Sequence, residues 1–352
     1  LQGAAALGKG DIEAARGYFQ VAIQRDPEFL PAIQNLSRLA EREGDPDGAR
    51  QVYQDALATA PGDEGALLSL ADLCLRQGDV TAALGYLRQA ADAHAESAAA
   101  RLGLARLHLA AGRLGDADRR VGEALALAPD SPDLLLLQAE IHLRSGNLDA
   151  AARIAGDLQA MLLEQPDNQP LLLAVGTLQV RVGRPASARG NLERALALSG
   201  GQSVEALRML SRLDLRDGDV KAAEERMRQL RSLQDEGPEF ELLQGDVLLA
   251  SGDPEGAREV FRQLSKRGVR DGVMRLVSMD LAAGDVEKAI DALQVWLADN
   301  EGDLGAELLL ADAYLRSQDT DRALSRYESL VETDNPVVLN NLAWLYICLL
   351  YT

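Results

Sequence analysis

A glycine-centred turn returns along this chain at a nearly constant spacing of about 34 residues. In each turn the glycine is followed by a polar residue, and an alanine lies five residues after the glycine. The turns are Gly10-Asp11, Gly44-Asp45, Gly78-Asp79, Gly112-Arg113, Gly146-Asn147, Gly183-Arg184, Gly218-Asp219, Gly252-Asp253, Gly284-Asp285 and the degenerate Gln318-Asp319. This period is typical of stacked helical hairpins that bury their apolar faces against their neighbours. The sequence therefore predicts an all-α chain.

One repeat illustrates the local signals, and we count repeat positions from Leu30 as position 1. Apolar and small residues at spacings of three and four predict a first helix that ends at Gly44, a residue free to adopt the left-handed conformation. Asp45 fits the N-cap of a second helix, and Pro46 fits its first turn. Each repeat is thus expected to be one hairpin.

Small residues recur where the two helices of a hairpin should approach each other. Position 8 of the first helix is Gly, Ala or Ser in nearly every copy, with Val277 as the exception. Position 20, in the second helix, is alanine in all copies: Ala15, Ala49, Ala83, Ala117, Ala151, Ala188, Ala223, Ala257, Ala289 and Ala323. We expect these alanines to lie in the core, where larger neighbours fill the remaining space.

Charge and cysteine content exclude several classes of protein. The formal net charge of −19 argues against binding of nucleic acid or anionic lipid, because both need a basic surface. Cys74 and Cys348 are the only cysteines, so the sequence predicts neither a disulfide framework nor a metal site of the cysteine type. No run of 18 apolar residues occurs, and we expect no membrane insertion by this segment.

The repeat pattern resembles the tetratricopeptide repeat (TPR) over essentially the whole chain. This resemblance implies an α-solenoid, a right-handed superhelix of about ten helix-turn-helix repeats whose first helices line a concave groove for protein or peptide ligands. It implies neither catalysis nor a cofactor. We expect a single solenoid over 1–352, truncated at both ends, with repeats at approximately 1–29, 30–63, 64–97, 98–131, 132–168, 169–203, 204–237, 238–269, 270–303 and 304–335, a partial repeat at 336–346 and an off-pattern tail at 347–352.

A narrower resemblance concerns the stretch from Asn340 to Tyr346, which reads Asn-Asn-Leu-Ala-Trp-Leu-Tyr, and Trp296, which replaces the usual alanine of its repeat. Both are similar to repeats of the large TPR lipoproteins encoded with bacterial PEP-CTERM sorting and exopolysaccharide systems. That resemblance implies a scaffold in the periplasm or at the outer membrane. A cytoplasmic location stays open, as does a regulatory or substrate-presenting arm of a larger enzyme such as a transferase. Ends without capping helices predict end-to-end self-association.

Positions 9 and 13 of the first helices are expected to face the groove and carry the candidate partner-binding residues. These are Arg38, Arg42, Asp72, Arg76, Arg106, Glu140, Arg144, Arg181, Arg212, Arg216, Asp246, Asp312 and Arg316. The charges either form ion pairs between repeats and favourable helix ends, or contact a partner directly. Leucines at positions 5 and 12 either pack between first helices or form an apolar trough for a partner segment.

Catalytic and metal-binding patterns are sparse. Cys74, His108 and His142 share position 11 in successive repeats and invite a metal interpretation. Helix axes about 8–10 Å apart place such side chains too far from one another to share an ion, so we predict that they pack between helices. The sequence contains no phosphate-binding glycine loop and no nucleophile elbow, and we expect no enzymatic activity and no metal.

Overall fold

The computed structural model describes residues 2–331 and 336–351, which form twenty-one α-helices and no strand. The helices are α1 (Gln2–Gly8), α2 (Ile12–Arg25), α3 (Leu30–Arg42), α4 (Pro46–Thr59), α5 (Glu64–Arg76), α6 (Val80–Ala93), α7 (Ala98–Ala110), α8 (Leu114–Leu125), α9 (Pro132–Arg144), α10 (Leu148–Glu164), α11 (Gln169–Arg181), α12 (Pro185–Leu198), α13 (Val204–Asp217), α14 (Val220–Ser232), α15 (Pro238–Ala250), α16 (Pro254–Lys266), α17 (Arg270–Ala283), α18 (Val286–Asp299), α19 (Leu304–Arg316), α20 (Thr320–Ser329) and α21 (Pro336–Tyr351).

The chain divides into two compact units, unit 1 up to Ala188 and unit 2 from Arg189 onwards. Within each unit, odd-numbered helices are the first helices of hairpins and even-numbered helices are the second. Successive helices pack against each other, so that each second helix also contacts the first helix of the next hairpin. The prediction of an all-α fold built from consecutive hairpins is confirmed, whereas the single solenoid and its repeat boundaries stay a prediction.

The turns between the helices of a hairpin have the conformation that the sequence predicts. Gly44 has a φ of 78°, in the left-handed region that favours glycine. The Asp45 carboxylate accepts a hydrogen bond of 2.8 Å from the Gly48 backbone N–H and so caps α4. Gln318 adopts the same left-handed conformation, with a φ of 66°, in the one turn that lacks glycine. The turn is therefore set by the repeat and not by the glycine alone.

The core of most hairpins contains small residues at positions 8 and 20 and a larger side chain at position 24. Every alanine at position 20 is fully buried, as predicted. Where position 8 is glycine, a phenylalanine can fill position 24, as Gly245 and Phe261 show. Where position 8 is alanine, the residue at position 24 varies in size, as Leu87 with Ala71 and Tyr327 with Ala311 show. The helices thus keep a close approach with different side-chain pairs.

Two irregular repeat spacings in the sequence change the structure locally. The 37-residue step lengthens α10, which spans 17 residues. The 32-residue step shortens the connection between α16 and α17, where a Cβ on Gly272 would collide with Leu264. At the C-terminal end, α21 continues through residues 347–351 of the off-pattern tail. Residues 332–335 and 352 of the predicted repeats and tail lie outside the described residues.

In unit 2, Asp303 joins α17, α18 and the start of α19. Its carboxylate accepts two hydrogen bonds of 2.7 Å from Arg270, one of 2.9 Å from Trp296 Nε1 and one of 3.1 Å from the Ala306 backbone N–H. The Arg270 hydrogen bonds, together with those from Trp296 and Ala306, outweigh burial and hold the pKa of Asp303 well below its ordinary value. The ionised carboxylate is therefore part of the folded structure.

Acid should destabilise unit 2 partly through Asp303. Because its pKa is lower in the folded chain than in the unfolded chain, its contribution is present above the unfolded pKa of about 3.9 and is lost as the pH falls from there toward the folded pKa. We expect the melting temperature of the Asp303→Asn variant to fall less between pH 7 and pH 3 than that of the wild type. Asp299→Asn, at an exposed carboxylate, is the control, and equal acid sensitivity of wild type and Asp303→Asn would contradict this role.

Candidate partner-binding surface

In unit 1 the candidate residues lie on the first helices α3, α5, α7, α9 and α11. Contacts join α3 to α5, α7 to α9 and α9 to α11, so first helices of successive hairpins are neighbours. Positions 9, 12 and 13 of these helices are mostly exposed or half-buried, with Leu109 as a buried exception. This part of unit 1 carries most of the predicted arginines.

Some of these arginines form ion pairs across neighbouring first helices. Arg76 on α5 contacts Glu41 of α3 at 3.1 Å and also pairs with Asp72 on its own helix. Arg181 on α11 pairs with Glu140 of α9, which also accepts a hydrogen bond of 2.8 Å from Arg144. Burial would raise the pKa of Glu140, but these two arginines outweigh it and lower the pKa below its ordinary value.

Other arginines on the same surface lack an acidic partner among the described residues. Arg38 and Arg42 lie one turn apart on α3, and Arg106 lies on α7; all three are exposed. Positions 9, 12 and 13 of the five first helices thus hold six arginines and three carboxylates. We call these charged residues the basic strip: Arg38, Glu41, Arg42, Asp72, Arg76, Arg106, Glu140, Arg144 and Arg181. The strip has a net positive charge in a protein whose total is −19.

Apolar side chains accompany the basic strip. Leu75 at position 12 is exposed, and Leu68, Leu102 and Leu136 at position 5 are half-buried. Half-buried leucines pack against neighbouring helices and still present part of their surface to solvent. The strip therefore combines cations with accessible apolar area, the two features that an amphipathic partner segment needs.

The candidate residues in unit 2 differ in whether they form ion pairs. Arg212 is exposed and forms no ion pair with any residue that the structure describes, whereas Arg216 pairs with Asp217 at 2.8 Å. Asp312 and Arg316 form an exposed pair within α19, at 2.9 Å. These residues do not form one continuous set of arginines like that of unit 1.

Asp246 lies in a cavity of about 560 Å³ that is lined by α15, α16 and α17. It pairs with Arg275 at 2.8 Å, and Leu249, Ser278 and Met279 contribute to the walls. Asp246, Leu249 and Ser278 in the lining of the cavity occupy positions 9 and 12 of first helices, which were predicted to face a partner, and α16 contributes Pro254, Glu255 and Arg258. The cavity is a second place where an apolar side chain could enter between first helices.

The sequence analysis missed a recurring ion pair between hairpins. An arginine at position 21 of a second helix reaches an acidic or amide side chain near the end of the next first helix. The pairs are Arg16 with Glu43, Arg50 with Gln77 and Asp79, Arg189 with Asp214 and Asp217, and Arg258 with Asp280. We call this contact the position-21 clamp. The recurrence of arginine directly after the position-20 alanine, at Arg16, Arg50, Arg189 and Arg258, was the signal available in the sequence.

The residues at position 11 are placed within or beside the core. Cys74 and His108 are buried, and His142 is half-buried. Burial lowers the pKa of His108, because desolvation penalises the charged imidazolium. Among residues 2–331 and 336–351, no group of three or more His, Cys, Asp or Glu side chains is arranged to hold a metal ion.

No helix in the described part of the chain is both long enough and apolar enough to cross a membrane.

Family models agree with the hairpin architecture. A tetratricopeptide repeat model matches residues 1–64, 35–98, 102–160, 173–239 and 242–303, and a second model of the same description matches residues 75–122 and 280–347. The chain belongs to the tetratricopeptide repeat family. A search of curated proteins finds no match.

Three solved structures share the fold at low sequence identity. A TPR protein from Parabacteroides merdae is 19% identical, with 71% of this chain and 96% of that chain covered and a TM-score of 0.51. PilW, described as a widely conserved type IV pilus biogenesis factor, is 20% identical, with 60% and 96% covered and a TM-score of 0.50. The human IFIT1 dimer with PPP-AAAA is 16% identical, with 94% and 81% covered and a TM-score of 0.53. At these identities the similarity concerns the fold alone.

Proposed function

We propose that this TPR protein is a non-catalytic scaffold that binds acidic, amphipathic segments of partner proteins along the basic strip of unit 1. The observation that carries the proposal is the set of exposed arginines without acidic partners, Arg38, Arg42 and Arg106, in a strongly acidic chain. An acidic segment would supply the missing carboxylates.

The paired arginines of the strip support this function in a different way. Arg76 and Arg181 are each fixed by a carboxylate of the preceding first helix. A guanidinium has five N–H donors, so it can keep its internal pair and still donate to a partner carboxylate. Half-buried leucines such as Leu68 and Leu102 would receive the apolar side chains of the same segment.

The proposal includes a setting in a bacterial cell-envelope assembly for exopolysaccharide or protein sorting, with the scaffold attached as a lipoprotein. Support comes from the stretch Asn340 to Tyr346 and from the fold shared with PilW, a pilus biogenesis factor. End-to-end self-association would extend such a scaffold. The alternative is a regulatory or substrate-presenting arm of a larger enzyme, and the full parent sequence distinguishes a lipid anchor from a catalytic domain.

Charge reversal in the strip should weaken binding without unfolding the chain. We expect Arg38→Glu combined with Arg106→Glu to reduce the affinity for a fluorescein-labelled peptide of alternating leucine and glutamate by about tenfold, because two attractive contacts become repulsive. Fluorescence anisotropy measures the affinity, and added salt should weaken wild-type binding. Sedimentation of the same samples reports self-association.

Arg153→Glu is the matched control, since Arg153 is an exposed arginine on the second helix α10 and has no ion pair in the described part of the chain. It should leave peptide affinity within about twofold of the wild type, as only long-range charge changes. Equal binding of leucine-lysine and leucine-glutamate peptides by the wild type would reject the proposed selectivity. The same loss in Arg153→Glu as in the strip variant would reject the proposed location.

A further inference from the structure

The junction between α14 and α15 in unit 2 lacks the position-21 clamp. Position 21 of α14 is Glu224, and positions 11 and 14 of α15 are Leu248 and Ser251. A clamp needs an arginine opposite a carboxylate or amide, and neither member is present. The two helices also pack less closely than α16 and α17, whose junction contains the Arg258–Asp280 clamp.

A cleft of about 300 Å³ occupies this junction. Met227 and Val247 are buried at its floor, and Leu248 is half-buried beside them. The volume is at the lower limit for ligand sites in proteins, which suits one large apolar side chain better than an extended small molecule. Methionine adapts its shape to such a side chain because it is unbranched and flexible.

The rim of the cleft carries more positive than negative charge. Arg228 and Arg231 stand on the last turns of α14, and Glu224 stands one to two turns earlier on the same helix. Arg228 pairs with Glu225 at 2.5 Å, whereas Arg231 is exposed and forms no ion pair within the described residues. A partner carboxylate is therefore complementary to the Arg231 end of the cleft.

We propose that this cleft binds an internal segment of a partner protein in which a large apolar side chain is followed directly by acidic residues. The apolar side chain fills the space over Met227 and Val247, and the carboxylates reach Arg231 and Arg228. Buried apolar anchors of this kind dominate the energetics of protein interfaces, and rim charges select the partner.

The cleft is distinct from the basic strip. It lies between a second helix and the following first helix and uses positions 7, 10, 11 and 14 of α15, whereas the strip uses positions 9, 12 and 13 of first helices in unit 1. The two surfaces share no residue. Failure of one site therefore does not imply failure of the other, and each can be tested with the other intact.

The binding test uses the full chain and short fluorescein-labelled peptides blocked at both ends, with phenylalanine followed by two aspartates. We expect measurable binding that is at least fivefold weaker when lysines replace the aspartates or when alanine replaces the phenylalanine, corresponding to about 1 kcal/mol for each feature. Equal affinity for all three peptides would overturn the proposal.

Two variants locate the site. Arg231→Ala should weaken binding of the phenylalanine-aspartate peptide by about fivefold, while Arg262→Ala, at an exposed arginine on the neighbouring second helix α16, should leave it unchanged. The strip variant Arg38→Glu with Arg106→Glu should also leave this peptide's affinity unchanged. Equal losses in Arg231→Ala and Arg262→Ala would show that the peptide does not bind at the cleft.

Introducing a position-21 clamp at the α14–α15 junction is a second, independent test of the site. Glu224→Arg combined with Ser251→Asp copies the pair of positions 21 and 14 formed by Arg16 and Glu43. The new arginine should cross the cleft, so peptide binding should fall by at least fivefold while the melting temperature stays equal or rises. A clamp variant that is as stable as the wild type and still binds the peptide normally would overturn the proposal.

Discussion

The Asp214→Ala variant is expected to lose about 3 kcal/mol of the free energy of unfolding, one of the two largest effects we predict for a single substitution. Asp214 is buried in α13, with its side chain only 3% exposed. Its two oxygens accept hydrogen bonds of 2.6 Å from Arg189 on α12 and Arg226 on α14. Removal of the carboxylate takes away the only acidic partner that Arg226 has among the described residues, and it leaves Arg189 with its exposed partner Asp217.

The size of the loss in unfolding free energy depends on how well water can solvate the two arginines once the carboxylate is removed. Breaking a fully buried ion pair by removing one partner costs about 3–5 kcal/mol. Arg189 and Arg226 are partly exposed, so water compensates some of the loss and places the expected value at the lower end. The midpoint of urea unfolding, followed by circular dichroism at 222 nm, measures the change.

A matched control is Asp312→Ala, which removes the exposed carboxylate that pairs with Arg316 within α19. Its loss should be at most about 0.5 kcal/mol, as is usual for exposed pairs one turn apart. A rescue variant, Asp214→Tyr with Arg189→Ile, copies Tyr314 and Ile290, which occupy positions 11 and 21 at another junction. It should recover part of the stability. Equal losses in Asp214→Ala and Asp312→Ala would contradict the role assigned to burial.

The Gly245→Leu variant is expected to destabilise the α15–α16 hairpin by about 3 kcal/mol, near the upper end for overpacked cores. Even a Cβ at this position would lie far inside contact distance of the Phe261 ring, and that ring is fully buried. The ring cannot move away without displacing its neighbours, because cores are close-packed. Thermal and urea unfolding measure the loss.

A compensating substitution at Phe261 distinguishes a steric clash at Gly245 from a general intolerance of substitution there. Gly245→Ala with Phe261→Leu copies the pair Ala71 and Leu87, so the double variant should be more stable than the sum of the two single losses predicts. Gly156→Ala is the control, since Gly156 in α10 has open space at its Cβ and alanine favours helices. Simple additivity of Gly245→Ala and Phe261→Leu would contradict size matching between Gly245 and Phe261.

The periodicity of the sequence predicted most of the fold because each hairpin repeats the same local chemistry. Gly44, Asp45 and Pro46 define a helix end, a cap and a helix start through contacts a few residues apart. The alanines at position 20 were recognisable as core residues because they never change type. Such features depend on near neighbours in sequence, which a repeat displays many times.

The candidate surface was only partly predictable. The sequence predicted Arg38, Arg76 and Arg106 alike as candidate partner-binding residues. It did not show that Arg76 contacts Glu41, whereas Arg38 and Arg106 have no acidic partner among the described residues. Side-chain rotamers and the lateral offset of neighbouring helices decide which of these ion pairs form. The rotamers and the offset depend on packing between hairpins, whereas the sequence shows only the residue spacing within each hairpin.

The sequence by itself determined that this protein is a row of helical hairpins, how the turn inside each hairpin is formed, and which small residues lie in its core. The physical reason is that helix capping, left-handed turns and apolar periodicity act over fewer than five residues. Only the tertiary structure decided which arginines form clamps between hairpins and which remain available to a partner. It also decided that the α14–α15 junction stays open, because the space there depends on how the side chains of two successive hairpins pack.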